Sequence, residues 1–276
     1  MLGCLQSTLT NFPNVNQEWT KNAEEERLLG VSLTGVCDNK LLSKVNDKTK
    51  DLLHELKRYA HECSNEFANS LNIEPPKQIT LVKPSGTVSQ LVNCSSGLHP
   101  RYSDYYIRRV RVNSKDPIAR LLINKGVPYN PEVGQEHETC NTYVFDFPIK
   151  SPRGSITKDQ WTAIEQLGYW SMFNEFWCDG NPSVTIYVGE DEWVEVGAWV
   201  YKNWKQICGI SFLPRDNHNY ELAPYEEITV EQYHKACEPW KKINIDFDLE
   251  LNTYELEDNT QGAQEIACSG GACDLR

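Results

Sequence analysis

The sequence predicts an α/β fold, and three observations carry that expectation. Short β-branched runs alternate with a long stretch whose apolar residues recur at helical spacing: Leu42, Val45, Leu52, Leu56, Tyr59, Cys63, Phe67 and Leu71. The order strand, helix, strand, loop, helix over residues 28–92 is that of a crossover unit joining two parallel strands. Two capping-box patterns, Thr157-Lys-Asp-Gln160 and Thr229-Val-Glu-Gln232, mark later helix starts.

The 276 residues suffice for one large α/β domain or two small ones, and 39% hydrophobic residues with 8 Trp and 13 Tyr supply a substantial core. A net charge of −12 argues against a broad nucleic-acid surface or an anionic membrane as partner, and leaves room for a local basic pocket. No apolar run approaches the ~20 residues of a membrane helix, and no charged-then-apolar leader opens the chain, so a soluble, cytoplasmic protein is expected.

Taken in order, residues 1–27 are polar and mixed, and Leu28–Leu33 reads as a buried strand closed by Thr34-Gly35. The helix from Leu41 stops at Pro75-Pro76, and Ile79–Val82 is the next strand. Gly97-Leu-His-Pro-Arg101 is a turn. Tyr105–Val112 is a basic, β-prone segment, read either as a solvated edge strand or as a row of arginines facing an anion. Asp116-Pro117 opens a short helix, and Thr142–Phe147 is a strand ended by Pro148. The Thr157 box starts an aromatic helix through Trp161, Ile164, Leu167, Trp170 and Phe173, which ends near Asp179-Gly-Asn-Pro182. Ser183–Val188 is a strand, Trp193–Trp204 a helix, Ile207–Leu213 a strand, and Thr229 starts a helix running to about Cys237. The Trp and Tyr of these helices are expected in the core. Residues 1–245 form the body. Residues 246–276 are an acidic tail, read as loosely held or as a docked edge strand.

The stretch around which the body is organised is Lys83-Pro-Ser-Gly-Thr-Val-Ser-Gln90. Gly86 lets the backbone approach a ligand closely, Ser85 and Thr87 offer hydroxyls, and a following helix would point N–H groups into the loop. Lys83, Arg101, Arg108, Arg109 and Arg111 can add charge. A phosphate suits such a place; an ordinary βα turn uses the same residues. Neither G-x-x-x-x-G-K-[ST] nor G-x-G-x-x-G occurs.

Eight of the ten cysteines are scattered, no Cys-x-x-Cys occurs and six His do not cluster, which argues against a zinc site. The exception is Cys268-Ser-Gly-Gly-Ala-Cys273 at the chain end. Two thiols at that spacing, with glycines between, can close a small disulfide ring and act as a redox shuttle; the alternative is two exposed cysteines of no consequence.

Several of these stretches, in the same order, resemble the adenosylcobalamin-dependent (class II) ribonucleotide reductases, most closely the monomeric ribonucleoside-triphosphate reductases. They are Leu28-Leu-Gly-Val-Ser-Leu-Thr-Gly35, Lys83–Leu91, His99-Pro-Arg-Tyr102, Tyr106-Ile-Arg-Arg-Val-Arg111 and the terminal Cys-x4-Cys. The likeness runs from about residue 20 to the end and implies the C-terminal part of a ten-stranded α/β barrel of the ribonucleotide reductase/glycyl-radical type, with a flexible tail. It implies adenosylcobalamin as cofactor and a thiyl radical that takes hydrogen from C3′ of the ribose. Two internal cysteines then reduce C2′, and a tail dithiol recharged by thioredoxin re-reduces them. By the same resemblance Ser85, Gly86, Thr87, Val88 and Ser89 hold the substrate phosphates, Cys268 and Cys273 are the tail redox pair, and cobalamin contacts fall broadly within residues 102–163 and 222–261.

The family's Asn-x-Cys-x-Glu radical-cysteine motif does not occur here, and neither Cys4 nor Cys94 sits in such a motif. The expectation is therefore a half-enzyme, inactive alone, that reduces ribonucleoside triphosphates only with an N-terminal partner carrying the radical cysteine. The alternatives are a non-catalytic thiol-carrier subunit delivering electrons through its tail, and an inert remnant.

Overall fold

The computed structural model describes residues 1–86, 88–215 and 221–255, without the side chain of Asp248. Helices in chain order are α1 (Leu2–Gln6), α2 (Gln17–Glu26), α3 (Asp47–Ser70), α4 (Val88–Leu91), α5 (Pro117–Asn124), α6 (Ala163–Phe176), α7 (Trp193–Asn203), α8 (Val230–Lys241) and α9 (Phe247–Glu250). Strands are β1 (Val31–Ser32), β2 (Thr80–Leu81), β3 (Tyr105–Asn113), β4 (Tyr129–Pro131), β5 (Thr142–Lys150), β6 (Val184–Val188), β7 (Ile210–Pro214) and β8 (Tyr225–Glu227). They fall into two compact units, each built from two stretches of chain: 1–101 with 154–215, and 102–153 with 216–276. None of the described helices is long and apolar enough to cross a membrane.

In the first unit β1 pairs parallel with β2 across the α3 crossover, and β6 pairs parallel with β7 across α7. The expected crossover is present, and a second one follows it. Beyond β2 the chain of residues 179–183 continues the bonding: the N–H groups of Asp179 and Gly180 donate to the Thr80 carbonyl, and that of Ser183 to Val82. The expected buried strand over Leu28–Leu33 shrinks to two exposed residues, because only its ends turn inward: Leu29 is buried and Leu33 packs half-buried against the core, while Leu28 and Val31 are exposed. Asn46 caps α3 by accepting the Thr49 N–H (3.0 Å).

The core of this unit lies around α6, where Leu167, Trp170 and Phe173 are fully buried with Leu53, Val82, Leu98 and Ile186. Half of the residues of α6 are buried, and its exposed positions Glu165 and Glu175 lie near its two ends. Its buried rings find partners for their polar ends: Tyr169 donates to the Leu42 carbonyl, Trp170 to Pro182. The capping box that starts α6 is Thr162–Glu165, not the expected Thr157–Gln160. Thr157 and Gln160 close a turn of their own just before it. Around α7 the aromatic residues divide: Trp199 packs against the core, while Trp193, Tyr201 and, just past the helix, Trp204 are exposed, against expectation.

In the second unit β4, β5, β3 and β8 form an antiparallel sheet in that order. Tyr105–Asn113 is thus an inner strand, and the edge-strand reading is corrected. Pro148 does not end β5, which runs two residues further. Ala119 and Leu122 of α5, Phe145 of β5, and Trp240 and Ile243 at the end of α8 make a small apolar core. Thr229 caps α8 through the expected box with Gln232. Residues 246–255, expected to open the tail, form α9 and a further turn. Here Glu250 pairs with Lys125, and the Tyr254 hydroxyl accepts from Asn124. The described strands of neither unit close into a barrel.

Candidate functional site: the Ser-Gly loop and its frame

Residues 83–93 leave β2, pass through the loop and close on the single turn of α4. Lys83 is held twice: its N–H donates to Ser32 Oγ (3.1 Å) and its ammonium to Ser183 Oγ (2.8 Å). Among the described residues that ammonium has no carboxylate partner, so its charge stays available to an anion. The Ser85 N–H donates to Ser96 Oγ (2.7 Å), while Ser85 Oγ accepts the Ser89 N–H (3.0 Å). Ser89 is fully buried and its hydroxyl donates to the Ser85 carbonyl. The two serines thus brace the loop from within. A Cβ built on Gly86 meets no atom within 4 Å, so the backbone there faces open space. With four residues, α4 has little macrodipole of its own, which leaves backbone N–H groups and Lys83 as the donors for an anion. Thr87 lies outside the described residues.

The loop hangs on a frame that spacing alone did not show. Buried His99 accepts the Thr185 N–H at Nε2 (2.9 Å), which leaves Nδ1–H to donate to the Ser96 carbonyl (3.0 Å). Burial lowers the pKa of this imidazole, opposed by the Ser96 bond, so it stands neutral between β6 and the residue that fixes Ser85. Arg101, 4% exposed, donates to both oxygens of Asp38 (3.0–3.2 Å) and to the side chain and carbonyl of Asn93 (3.1 and 2.5 Å). Asp38 Oδ2 also accepts the Ser95 N–H (2.7 Å). Asn93 is left-handed (φ 47°), so the guanidinium clamps the turn by which the chain leaves α4. Gly97 (φ 52°) lies so close to the loop that a Cβ there would stand 2.9 Å from the Lys83 carbonyl.

Of the arginines expected to add charge, Arg101 is spent on this frame. Arg109 and Arg111 belong to the other unit and are held there by carboxylates: Arg109 by Asp146 (3.1 Å) and Glu226 (2.5 Å), Arg111 by Glu132 (2.5 Å). Their anion-facing reading is corrected on that ground. Arg108 stacks on the Tyr225 ring, 4.5 Å from its centroid.

The described cysteines are free thiols. Burial pushes Cys178 up to about 12 and raises Cys37 further; it also raises Cys208, against the charge of Lys83. None of these three is a thiolate at neutral pH. Cys268 and Cys273 lie outside the described residues.

Against known proteins, no protein-family model matches the chain. The adenosylcobalamin-dependent ribonucleoside-triphosphate reductase of Euglena gracilis is 27% identical over 268 residues, which is 96% of this chain and 36% of that protein. A probable enzyme of the same name from Dictyostelium discoideum is 28% identical over 272 residues, again 96% of this chain and 34% of the other. That of Lactobacillus gasseri matches 78% of the chain at 27% identity. A crystal structure of a B12-dependent (class II) ribonucleotide reductase superposes on 85% of the chain with a TM-score of 0.70 at 22% identity, covering 36% of its own length. The chain spans about a third of the length of the curated relatives it matches. The resemblance is therefore borne out: over nearly its whole length this chain is similar to one part of the adenosylcobalamin-dependent ribonucleoside-triphosphate reductases, and it shares the fold of the class II enzyme.

Proposed function

We propose that this chain is the part of an adenosylcobalamin-dependent ribonucleoside-triphosphate reductase that cradles the substrate phosphates, contributes to the cobalamin surface and carries the redox tail. The observation that carries the proposal is the match to reductases of that name over 96% of the chain. The Ser-Gly loop supports it physically. Its serine hydroxyls brace the turn, its backbone at Gly86 faces open space, and Lys83 brings an ammonium that no described carboxylate neutralises. In this reading Ser85, Gly86, Thr87, Val88 and Ser89 form the cradle, with Ser85 and Ser89 setting its shape. The N–H groups at Gly86 and Val88 meet the phosphate oxygens.

The cobalamin supplies, when bound, the homolysis of its cobalt–carbon bond. The segments expected to touch it, 102–163 and 222–261, lie largely in the second unit. That unit holds a cluster of Tyr102, Tyr106 and Tyr225 with Arg108 stacked upon it, a donor and ring set that suits a large planar ligand bearing amides and a phosphodiester. Cys268 and Cys273 re-reduce the internal dithiol and are themselves reduced by thioredoxin. Since the chain spans about a third of its relatives, the reaction is assigned to it together with the polypeptide that supplies the rest, including the radical cysteine.

The test is ribonucleotide reduction with adenosylcobalamin and a dithiol, by the chain alone and mixed with such an N-terminal polypeptide. Deoxynucleotide formed only in the mixture is the expected result; none in either, from folded protein, overturns the assignment.

A further inference from the structure

Four arginines lie between residues 101 and 111, and three have carboxylate partners. Arg108 differs. It opposes Phe147 of β5 and Tyr225 of β8 in the sheet register, so it shares a face with aromatic side chains. Its guanidinium lies over Tyr225, which in turn stacks on Tyr102 (5.4 Å between centroids, 24° between planes) and touches Tyr106 (5.7 Å). Arg108 Nε is buried without an acceptor, and among the described residues the guanidinium has neither hydrogen bond nor ion pair. A half-buried cation without an acceptor destabilises a fold, and the neighbouring Arg109 shows that this sheet provides carboxylates where it holds its own cations. Stacking on a ring fixes the plane of the guanidinium fork and weakens competition from water, which is how arginine is held ready for a two-oxygen anion.

We infer that Arg108, backed by Tyr225, is an anion subsite of the second unit for the phosphoryl group of a nucleotide-bearing ligand. The aromatic surroundings favour an anion attached to a planar heterocycle over a free ion. Two sources carry that chemistry: the phosphodiester in the nucleotide tail of adenosylcobalamin, and the phosphates of a ribonucleoside triphosphate. The first rests on the function proposed above; the subsite itself does not.

Equilibrium dialysis of the full chain with adenosylcobalamin, with cobinamide (a corrin lacking the nucleotide tail) and with ATP tests this. Arg108→Met is expected to weaken adenosylcobalamin binding about tenfold or more and to leave cobinamide binding unchanged, with Arg108→Lys recovering part of the loss. Its melting temperature is expected to match or exceed that of the wild type, since an unpaired cation is removed. If Arg108→Met weakens ATP and not adenosylcobalamin, the subsite stands and its assignment to cobalamin falls. If the chain binds adenosylcobalamin with the same affinity in wild type and Arg108→Met, and ATP likewise, the subsite is overturned while the cofactor assignment survives. A folded wild-type chain that binds neither ligand overturns the subsite as well.

Discussion

Gly86 and Gly97 flank the same loop and answer to opposite constraints. A side chain at Gly86 would enter open space, and its backbone is not left-handed, so the fold does not require glycine there. Gly86→Val is expected to leave the melting temperature unchanged and to raise the nucleotide KM of the assembled enzyme, because the branched side chain takes the place of an approaching phosphate. An unaltered KM would remove the loop from the substrate site. At Gly97 the left-handed backbone and the Lys83 carbonyl 2.9 Å from a built Cβ both oppose a side chain. Gly97→Ala is expected to cost about 1–3 kcal/mol of stability, read as a drop in melting temperature, as well as raising KM. The pair separates a glycine kept for a ligand from one kept for the chain.

At the scale of elements, two polar knots, one around buried Arg101 and one half-buried around Asp179, fasten the loop's surroundings. Removing one member of the Arg101–Asp38 pair leaves a buried charge unanswered, so Arg101→Met is expected to lose about 3–5 kcal/mol in denaturant unfolding. The second knot joins α3 to β2. Asp179 accepts from Lys57 (2.9 Å), His61 (2.7 Å) and the N–H groups of Ile79 and Thr80 (3.1 and 3.2 Å). Burial alone would raise this carboxyl, yet the Lys57 bond and the two N–H groups outweigh it and bring it to about 2. A carboxyl lowered on folding adds stability that is complete above its unfolded pKa and disappears as pH falls through the folded value. Wild type is therefore expected to lose on the order of 1–2 kcal/mol between pH about 5 and 2 that Asp179→Asn does not lose. Identical acid-unfolding slopes would exclude the knot as the cause.

Local patterns in the sequence were informative at this scale where the determinants were themselves local. The helix and strands of the first crossover, the Thr229 box and the Asp116-Pro117 helix start follow from residues a few positions apart. What escaped is non-local. β3 is an inner strand because β8, three residues from far along the chain, pairs with its outer side, and no periodicity announces that. Pro148 is tolerated because β4 reaches only to Phe145, so β5 has one described neighbour there and the missing N–H costs little. Thr162-x-x-Glu165 satisfies the same capping pattern as Thr157-x-x-Gln160, and only the packing of α6 chooses between them. In the site, Lys83, Ser85 and Gly86 were readable from turn chemistry. The pairing of Asp38 with Arg101 and the seat of His99 against Thr185 depend on residues 63 and 86 positions apart, beyond the reach of any local signal.

For the whole molecule, the proposed division of labour separates the site that holds nucleotide from the thiols that supply electrons. Cys268→Ser or Cys273→Ser in the assembled enzyme is expected to spare a single turnover and abolish thioredoxin-supported multiple turnover. Unchanged steady-state rates would take the tail out of the electron path. The first unit is also interrupted: the chain leaves it after Arg101 and re-enters at Gly154. At that interruption the Arg101 N–H donates to the Ile156 carbonyl (2.7 Å), and the Lys158 N–H donates back to Arg101 (2.8 Å). The excursion between them is a noose with its two feet tied together. The two feet are knotted to each other beside the guanidinium that clamps the Ser-Gly loop, so residues inserted into the exposed turn at 133–139 are expected to leave the loop's footing unchanged.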